Sequence, residues 1–112
     1  MSRDPEALID ILEAIKLILQ YAEGQDFDAL AANIEKQDAI LRRITIIGEA
    51  TKRLSRDFRD QHPDIPWKEM AGMRDVITHD YDEVDLEEVW IVIRQDLPQL
   101  LPKLESLASD TD

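Results

Sequence analysis

The sequence predicts an all-α protein, and three observations support this class. Helix-favouring Leu, Ile, Ala, Glu, Lys and Arg are abundant among the 112 residues, only three glycines are present, and no stretch alternates Val, Ile or Thr as strands do. Apolar residues instead recur at spacings of three and four, which places them on one side of a helix. We therefore expect a bundle of four to five helices and no strand.

The first helix is predicted from Asp4 to about Tyr21. Asp4 suits the cap, Pro5 suits the first helical position, and Glu6 lies near the positive end of the helix. Gly24 allows the chain to turn after it. The apolar stripe consists of Leu8, Ile11, Leu12, Ile15, Ile18 and Leu19.

A short helical stretch near Asp28 to Asn33 precedes a long second helix, predicted from about Glu35 to Phe58. Its inner face is formed by Ile40, Leu41, Ile44, Ile47, Leu54 and Phe58. Two prolines in the segment QHPDIP end it. The same helix carries a basic island, which consists of Arg42, Arg43, Lys52, Arg53, Arg56 and Arg59.

A third helical element is predicted from about Pro66 to Thr78. Its spacing places Trp67, Met70 and Met73, together with Trp90, in the core or in a dimer interface rather than in a cofactor site. His62 precedes Pro63 and is interpreted as part of the turn before this element.

The fourth helix has a strong start signal at Asp85. Glu88, three residues later, completes an Asp version of the capping box, and Val84 and Val89 have the spacing of a hydrophobic staple. Pro98 is expected to kink or restart this helix. We expect one domain, residues 1–108, followed by a frayed tail, residues 109–112.

Composition excludes several classes of protein. The absence of cysteine excludes disulfides and thiolate metal sites and fits a reducing compartment. The opening residues are acidic and no apolar run approaches the roughly 20 residues of a membrane helix, so we expect a cytoplasmic protein. The net charge of −12 argues against nucleic acid, but residues 42–59 hold six basic and two acidic side chains, a local charge of +4.

No cofactor and no metal are expected. The chain has no Walker-type glycine loop and no serine nucleophile motif. Asp80 and Asp82 fit the first two ligand positions of an EF-hand loop, but Val84 occupies the third and no glycine follows.

The candidate site is the segment RDVITHDY, residues 74–81. Arg74 and His79 would point roughly 140° apart on an ideal helix, so either the helix loosens before His79 or the pair lines a groove reached from both sides. Thr78 would share the face of Arg74. Arginine matches phosphate oxygens and histidine exchanges protons near neutrality, which suits cleavage of an RNA phosphodiester. The same residue types also occur as a surface ion-pair donor and a helix-dipole partner.

The sequence resembles the HEPN superfamily, and specifically the HepT-like ribonuclease toxins. Their motif is Arg, four residues, His, one residue, Tyr, which is present here as Arg74, His79 and Tyr81. Further similar segments are DILEAI, ILRRITIIGEATKRLS, HPDIPWKEMAGMRD, VDLEEVW and LPQL, so the resemblance covers about 100 residues.

This resemblance implies a homodimeric HEPN-type bundle in which the two motifs meet across a cleft. Arg74 and His79 would be the catalytic pair of a metal-independent endoribonuclease, the toxin of a toxin–antitoxin pair. The implied partner is an MntA-type nucleotidyltransferase antitoxin that transfers AMP from ATP to Tyr81, whose added charge would compete for Arg74. The basic island would hold the RNA backbone if it borders the cleft.

Three further residues are expected to support the site. Asp75 stands where such families often have Asn, and it either orients His79 or repels phosphate. Thr78 lies beside the pair, and Glu49 either orients Arg74 or is an ordinary solvated or ion-paired side chain. The alternative function is a non-catalytic helical subunit that partners a minimal nucleotidyltransferase in a regulatory or substrate-positioning role.

Overall fold

The computed structural model describes residues 3–79 and 83–110, with His79 described by its backbone alone. These ranges form a helical bundle with one short hairpin, which confirms the all-α class. The helices are α1 (Asp4–Tyr21), α2 (Phe27–Ala31), α3 (Ile34–Arg53), α4 (Arg56–Gln61), α5 (Trp67–Ala71), α6 (Met73–Ile77), α7 (Leu86–Ile91) and α8 (Leu97–Asp110). Strands β1 (Thr78–His79) and β2 (Glu83–Val84) lie between α6 and α7, and a π-helical segment, Val92–Asp96, joins α7 to α8.

The core is formed where α1 packs against α3 and α8. Each of these helices has one apolar face, and burying each such side chain contributes roughly 1.5–3 kcal/mol. The predicted stripe of α1 is almost entirely buried, as is the inner face of α3. The largest fully buried side chains of the three helices are Leu8, Ile11, Ile15, Ile18, Ile40, Ile44, Ile47, Leu97 and Leu104.

Asp4 does not cap α1, contrary to the prediction. Arg3 is the cap residue and Asp4 begins the helix. The buried Asp4 carboxylate accepts hydrogen bonds from the backbone N–H and the hydroxyl of Ser55, each at 2.7 Å. The Ser55 hydroxyl oxygen in turn accepts from the N–H of Phe58 at 3.1 Å. One carboxylate therefore joins the start of α1 to the start of α4.

The predicted second helix, residues 35–58, is wrong over its last five residues, 54–58. Helix α3 ends at Arg53, Leu54 and Ser55 have extended backbone with ψ angles of 139° and 153°, and α4 then begins with Ser55 as its cap. The contact with Asp4 explains the break, because it favours Ser55 outside a helix, where its side chain can serve both partners.

The predicted third element, residues 66–78, is two short helices separated at Gly72. The turn before it is held by the indole Nε1 of Trp67, which donates to the carbonyl of His62 at 2.9 Å. Trp67, Met70 and Met73 are buried, as predicted for core residues.

The prediction of no strand is wrong at the end of α6. Thr78 pairs with Val84 and His79 with Glu83 in an antiparallel hairpin of two residues per strand. A pair this short has no periodic sequence pattern, because alternation needs about four residues to be recognised.

The start of the fourth helix is confirmed. The Asp85 carboxylate accepts hydrogen bonds from the N–H groups of Glu87 and Glu88, at 3.1 and 3.2 Å. The kink or restart predicted at Pro98 corresponds to the π-helical segment Val92–Asp96, which ends two residues before the proline. Proline has no N–H to donate to the carbonyl four residues earlier, and that carbonyl lies in the π-helical segment. Of the predicted tail, residues 109 and 110 are helical and residues 111 and 112 lie outside the described residues. No helix in the described ranges is both long and apolar enough to cross a membrane.

Candidate active site

Helix α6 carries Arg74 on its solvent side. Met73 and Ile77 of this helix are buried in the core, whereas Arg74, Asp75 and Val76 are exposed. Because the apolar side chains anchor one face of the helix, the guanidinium of Arg74 is presented on the surface of the single chain.

The chain leaves the helical conformation before His79. Thr78 has φ −114° and ψ 121°, so α6 ends at Ile77 and His79 belongs to β1. This confirms the first of the two predicted alternatives, in which the helix loosens before the histidine. Thr78 therefore does not continue the helical face of Arg74, contrary to the prediction. Its hydroxyl oxygen is buried and has no hydrogen-bond partner in the part of the chain that the structure describes.

The hairpin fixes the backbone at His79, the histidine of the motif. The backbone of His79 pairs with Glu83, and the N–H of Asp85 donates to the carbonyl of Ile77 at 2.7 Å. Residues 80–82, which include Tyr81, lie outside the described residues. The backbone of His79 and Glu83 is therefore held between the end of α6 and the start of α7.

A close backbone contact positions α5 and α6 on α3. A Cβ atom placed on Gly48 would lie 3.1 Å from the carbonyl oxygen of Ala71 and 3.7 Å from that of Met70. A glycine at this position in α3 therefore allows the backbone of α5 to approach. Arg74 follows Ala71 by three residues, so this contact also determines where Arg74 lies.

Glu49 lies on a different side of α3 from Gly48. It is exposed and lines a groove of about 280 Å³ with Arg42, Arg43 and Arg53, opposite Asp10 and Glu13 of α1. The guanidinium of Arg53 contacts the Asp10 carboxylate at 2.6 Å. Part of the basic island therefore faces acidic side chains of α1.

The rest of the basic island faces a second groove. Arg56 and Arg59 line a larger groove of about 760 Å³ between α4 and α5, which also receives Lys68. Lys52 is exposed and lines neither groove. The predicted island is thus divided between two grooves, because the break at Leu54 and Ser55 redirects the chain. Lys68 was not predicted, since it is brought beside Arg59 only by folding.

Among the described residues, no three His, Cys, Asp or Glu side chains form a group that could hold a metal ion. What the described part of the site presents is an exposed guanidinium one turn before a hydrogen-bonded strand that carries the histidine backbone.

A comparison with protein families identifies the chain. Residues 11–107 match the family model described as "Ribonuclease HepT-like". The chain belongs to the HepT-like ribonuclease family. The predicted resemblance is therefore confirmed, and with it the enzyme class, a ribonuclease.

Curated relatives agree with this family. The HepT-like chain is 42% identical over 100 residues to a Thermococcus cleftensis protein named "Probable ribonuclease HepT", which covers 89% of this chain and 91% of the relative. It is 34% identical over 104 residues to "Putative RNase MJ1380" of Methanocaldococcus jannaschii, covering 92% of this chain and 95% of that protein.

A third relative shows the same region within a longer protein. The HepT-like chain is 41% identical over 102 residues to the "Gamma-glutamylcyclotransferase and putative RNase MJ0434" of M. jannaschii, covering 91% of this chain but 46% of the relative. No solved structure matches the chain significantly.

Proposed function

We propose that this HepT-like chain is the toxin of a toxin–antitoxin pair, an endoribonuclease that uses Arg74 and His79. The observation that supports the proposal most is the exposed Arg74 in α6 with His79 just beyond that helix in β1, in a chain that matches the ribonuclease family over residues 11–107. Tyr81, two positions after His79, completes the motif.

The proposed reaction needs only proton transfer and stabilisation of charge on phosphate. Arg74 binds the non-bridging phosphate oxygens with its planar fork of donors. His79 takes the proton from the ribose 2′-hydroxyl, the 2′-oxygen bonds to phosphorus, and the bond to the 5′-oxygen breaks as that oxygen gains a proton from the protonated imidazole. The products are a 2′,3′-cyclic phosphate and a free 5′-hydroxyl. Asp75, exposed beside Arg74, either orients His79 or weakens phosphate binding by repulsion.

The active form in this proposal is a homodimer. Arg74 lies on the solvent side of the single chain, and Val76, two residues later, is an apolar side chain with 57% of its surface exposed. A second copy packed on this side would cover Val76 and bring a second Arg74 and His79 to the same cleft.

The proposed partner is an MntA-type nucleotidyltransferase antitoxin. The phenolic oxygen of Tyr81 would attack the α-phosphorus of ATP, with loss of its proton and release of pyrophosphate, which leaves AMP attached to the tyrosine. The new phosphodiester carries negative charge next to His79, where it would occupy Arg74 and repel RNA.

Growth of a bacterial host tests the ribonuclease role. Induced expression of the wild-type chain without antitoxin should stop growth, and Arg74→Ala and His79→Ala should each restore it. Arg94→Ala is the matched control, because Arg94 lies outside the motif in the π-helical segment and its guanidinium packs on the Trp90 ring at 5.4 Å from the centroid. Full toxicity of both motif variants would refute the ribonuclease proposal. An inert wild-type chain that still binds the nucleotidyltransferase would support the alternative regulatory subunit.

Mass spectrometry tests the tyrosine. Incubation with the nucleotidyltransferase and ATP should add AMP to the peptide that contains Tyr81, and Tyr81→Phe should remove the modification while RNA cleavage persists. Tyr21→Phe, at the end of α1, is the control and should be modified like the wild type. AMP that remains on the same peptide of Tyr81→Phe would exclude Tyr81 as the acceptor.

A further inference from the structure

The groove between α4 and α5, called here the α4–α5 groove, has features of a ligand site. Its volume is about 760 Å³, and cationic side chains enter it from both helices, Arg56 and Arg59 from α4 and Lys68 from α5. It is separate from the groove between α1 and α3 that holds Arg42, Arg43 and Arg53.

The three cations of the α4–α5 groove have no ion-pair partner in the described ranges of the chain. No carboxylate there lies within 4.0 Å of Arg56, Arg59 or Lys68, although Asp60, Asp64 and Glu69 line the same groove. Arg53, in contrast, is paired with Asp10. Arg53 is thus used in an ion pair within the chain, whereas the cations of the α4–α5 groove have no such partner among the described residues and can bind a ligand.

Arg59 also carries an unsatisfied donor. Its Nε atom is buried, and no acceptor for it is present among the described residues. A buried N–H without an acceptor destabilises the conformation that holds it. If the side chain turns into the groove, Nε and a terminal nitrogen form the parallel pair of donors that fits two phosphate oxygens.

The α4–α5 groove leads toward the motif. Ala71 lines the groove, and Arg74 follows three residues later, in α6. Lys68, Ala71 and Arg74 follow one another at spacings of three, so each is a neighbour of the next along the α5–α6 segment. The intervening Gly72, with φ −98° and ψ 7°, departs only moderately from helical geometry. A strand bound at Arg74 can therefore continue toward Lys68 and Arg59.

We propose that the α4–α5 groove binds the RNA strand beside the cleaved link, with Arg59 on a backbone phosphate and Arg56 and Lys68 in support. This inference rests on the proposed ribonuclease function. The carboxylates in the groove suit RNA in particular, because a ribose 2′-hydroxyl, which DNA lacks, can donate a hydrogen bond to a carboxylate.

Binding to a catalytically inactive protein tests the groove without cleavage. A fluorescent single-stranded RNA oligonucleotide is titrated with the His79→Ala chain, with and without Arg59→Gln, at several salt concentrations. Arg59→Gln should raise Kd about tenfold, as expected for loss of a charged hydrogen bond. It should also lower the slope of log Kd against log salt by about one, as expected for one lost phosphate contact. Arg94→Gln in the same background should change neither value.

Two further variants make the test independent of folding. Arg59→Lys keeps the charge but lacks the paired donors, so it should retain the salt slope and lose part of the affinity. If Arg59→Gln does not fold, as judged by its thermal transition, the exposed Lys68→Gln takes its place and should reduce the salt slope in the same way. Unchanged Kd and slope in the folded variants, or no RNA binding by the His79→Ala parent, would overturn the proposal.

Cleavage kinetics separate this inference from the function on which it rests. In the active chain, Arg59→Gln should raise KM for RNA and leave kcat unchanged, since Arg59 is placed away from the reacting atoms. RNA binding that depends on Arg59, in a wild-type chain that cleaves no RNA, would refute the ribonuclease proposal and leave the groove as an RNA-binding site. Cleavage with a KM that is indifferent to Arg59 would refute the groove alone.

Discussion

Gly48 and Ala71 make the contact that seats the motif helix on the bundle. A Cβ on Gly48 would lie 3.1 Å from the Ala71 carbonyl oxygen, so α3 and α5 are separated by little more than backbone atoms at this point. The short helices α5 and α6 each bury two apolar side chains, and this backbone contact adds to that packing. Their position, and with it that of Arg74, depends on this approach.

Gly48→Ala should therefore destabilise the chain. Replacing glycine in a helix normally gains up to about 1 kcal/mol, but overpacking against a backbone carbonyl costs roughly 1–3 kcal/mol. We expect a net loss of about 1 kcal/mol, seen as a fall of roughly 5 °C in Tm by calorimetry or circular dichroism. Gly72→Ala is the control, because its nearest contact would be an ordinary 3.6 Å to the Lys68 carbonyl. A Tm of Gly48→Ala at or above the wild-type value would contradict this prediction, because it would show that α5 shifts to admit the added methyl group at little cost in free energy.

The Asp4–Ser55 contact should be energetically coupled. Asp4→Ala leaves the Ser55 N–H without its carboxylate and should cost about 1–3 kcal/mol of unfolding free energy. In a double-mutant cycle with Ser55→Ala, the double variant should lose less unfolding free energy than the sum of the two single losses, by at least about 0.5 kcal/mol. Urea denaturation gives the unfolding free energy of the wild type, the two single variants and the double variant. The exposed Glu6→Ala is the control, and its unfolding free energy should lie within about 0.5 kcal/mol of the wild-type value. Strict additivity would mean that the contact does not hold α1 to α4.

The cap at Asp85 should stabilise the segment that follows the motif. Asp85→Ala removes the acceptor for two backbone N–H groups at the start of α7 and should cost about 1 kcal/mol. Asp85→Asn retains an acceptor and should lose much less. Hydrogen exchange at Glu87 and Glu88 reports the effect directly, and equal protection in Asp85→Ala and the wild type would contradict the assignment of the cap.

Local signals in the sequence account for most of the fold. Pro5 near the start of α1, the apolar stripes of α1 and α3, and Asp85 before α7 are each readable within a few neighbouring residues. The break at Leu54 and Ser55 is not readable in this way, because it depends on Asp4, which is about fifty positions earlier. The two-residue strands were missed because they are shorter than any detectable alternation.

The candidate site likewise has features that neighbouring residues predict and features that depend on residues distant in the sequence. The spacing of Arg74 and His79 already indicated that a continuous helix would separate them, and the structure resolves this with extended backbone at Thr78. The basic island was predicted as one surface because its residues are close in sequence. The turn between α3 and α4 sends Arg53 and Arg59 to different grooves, and only the folded chain brings Lys68 to Arg59.

Cleavage of RNA by purified protein in excess chelator tests the central claim most directly. The wild-type chain should cut total tRNA or mRNA, and Arg74→Ala and His79→Ala should each slow cleavage by about a hundredfold or more, with Arg94→Ala unchanged. Equal cleavage rates for the wild type and both motif variants would contradict the account.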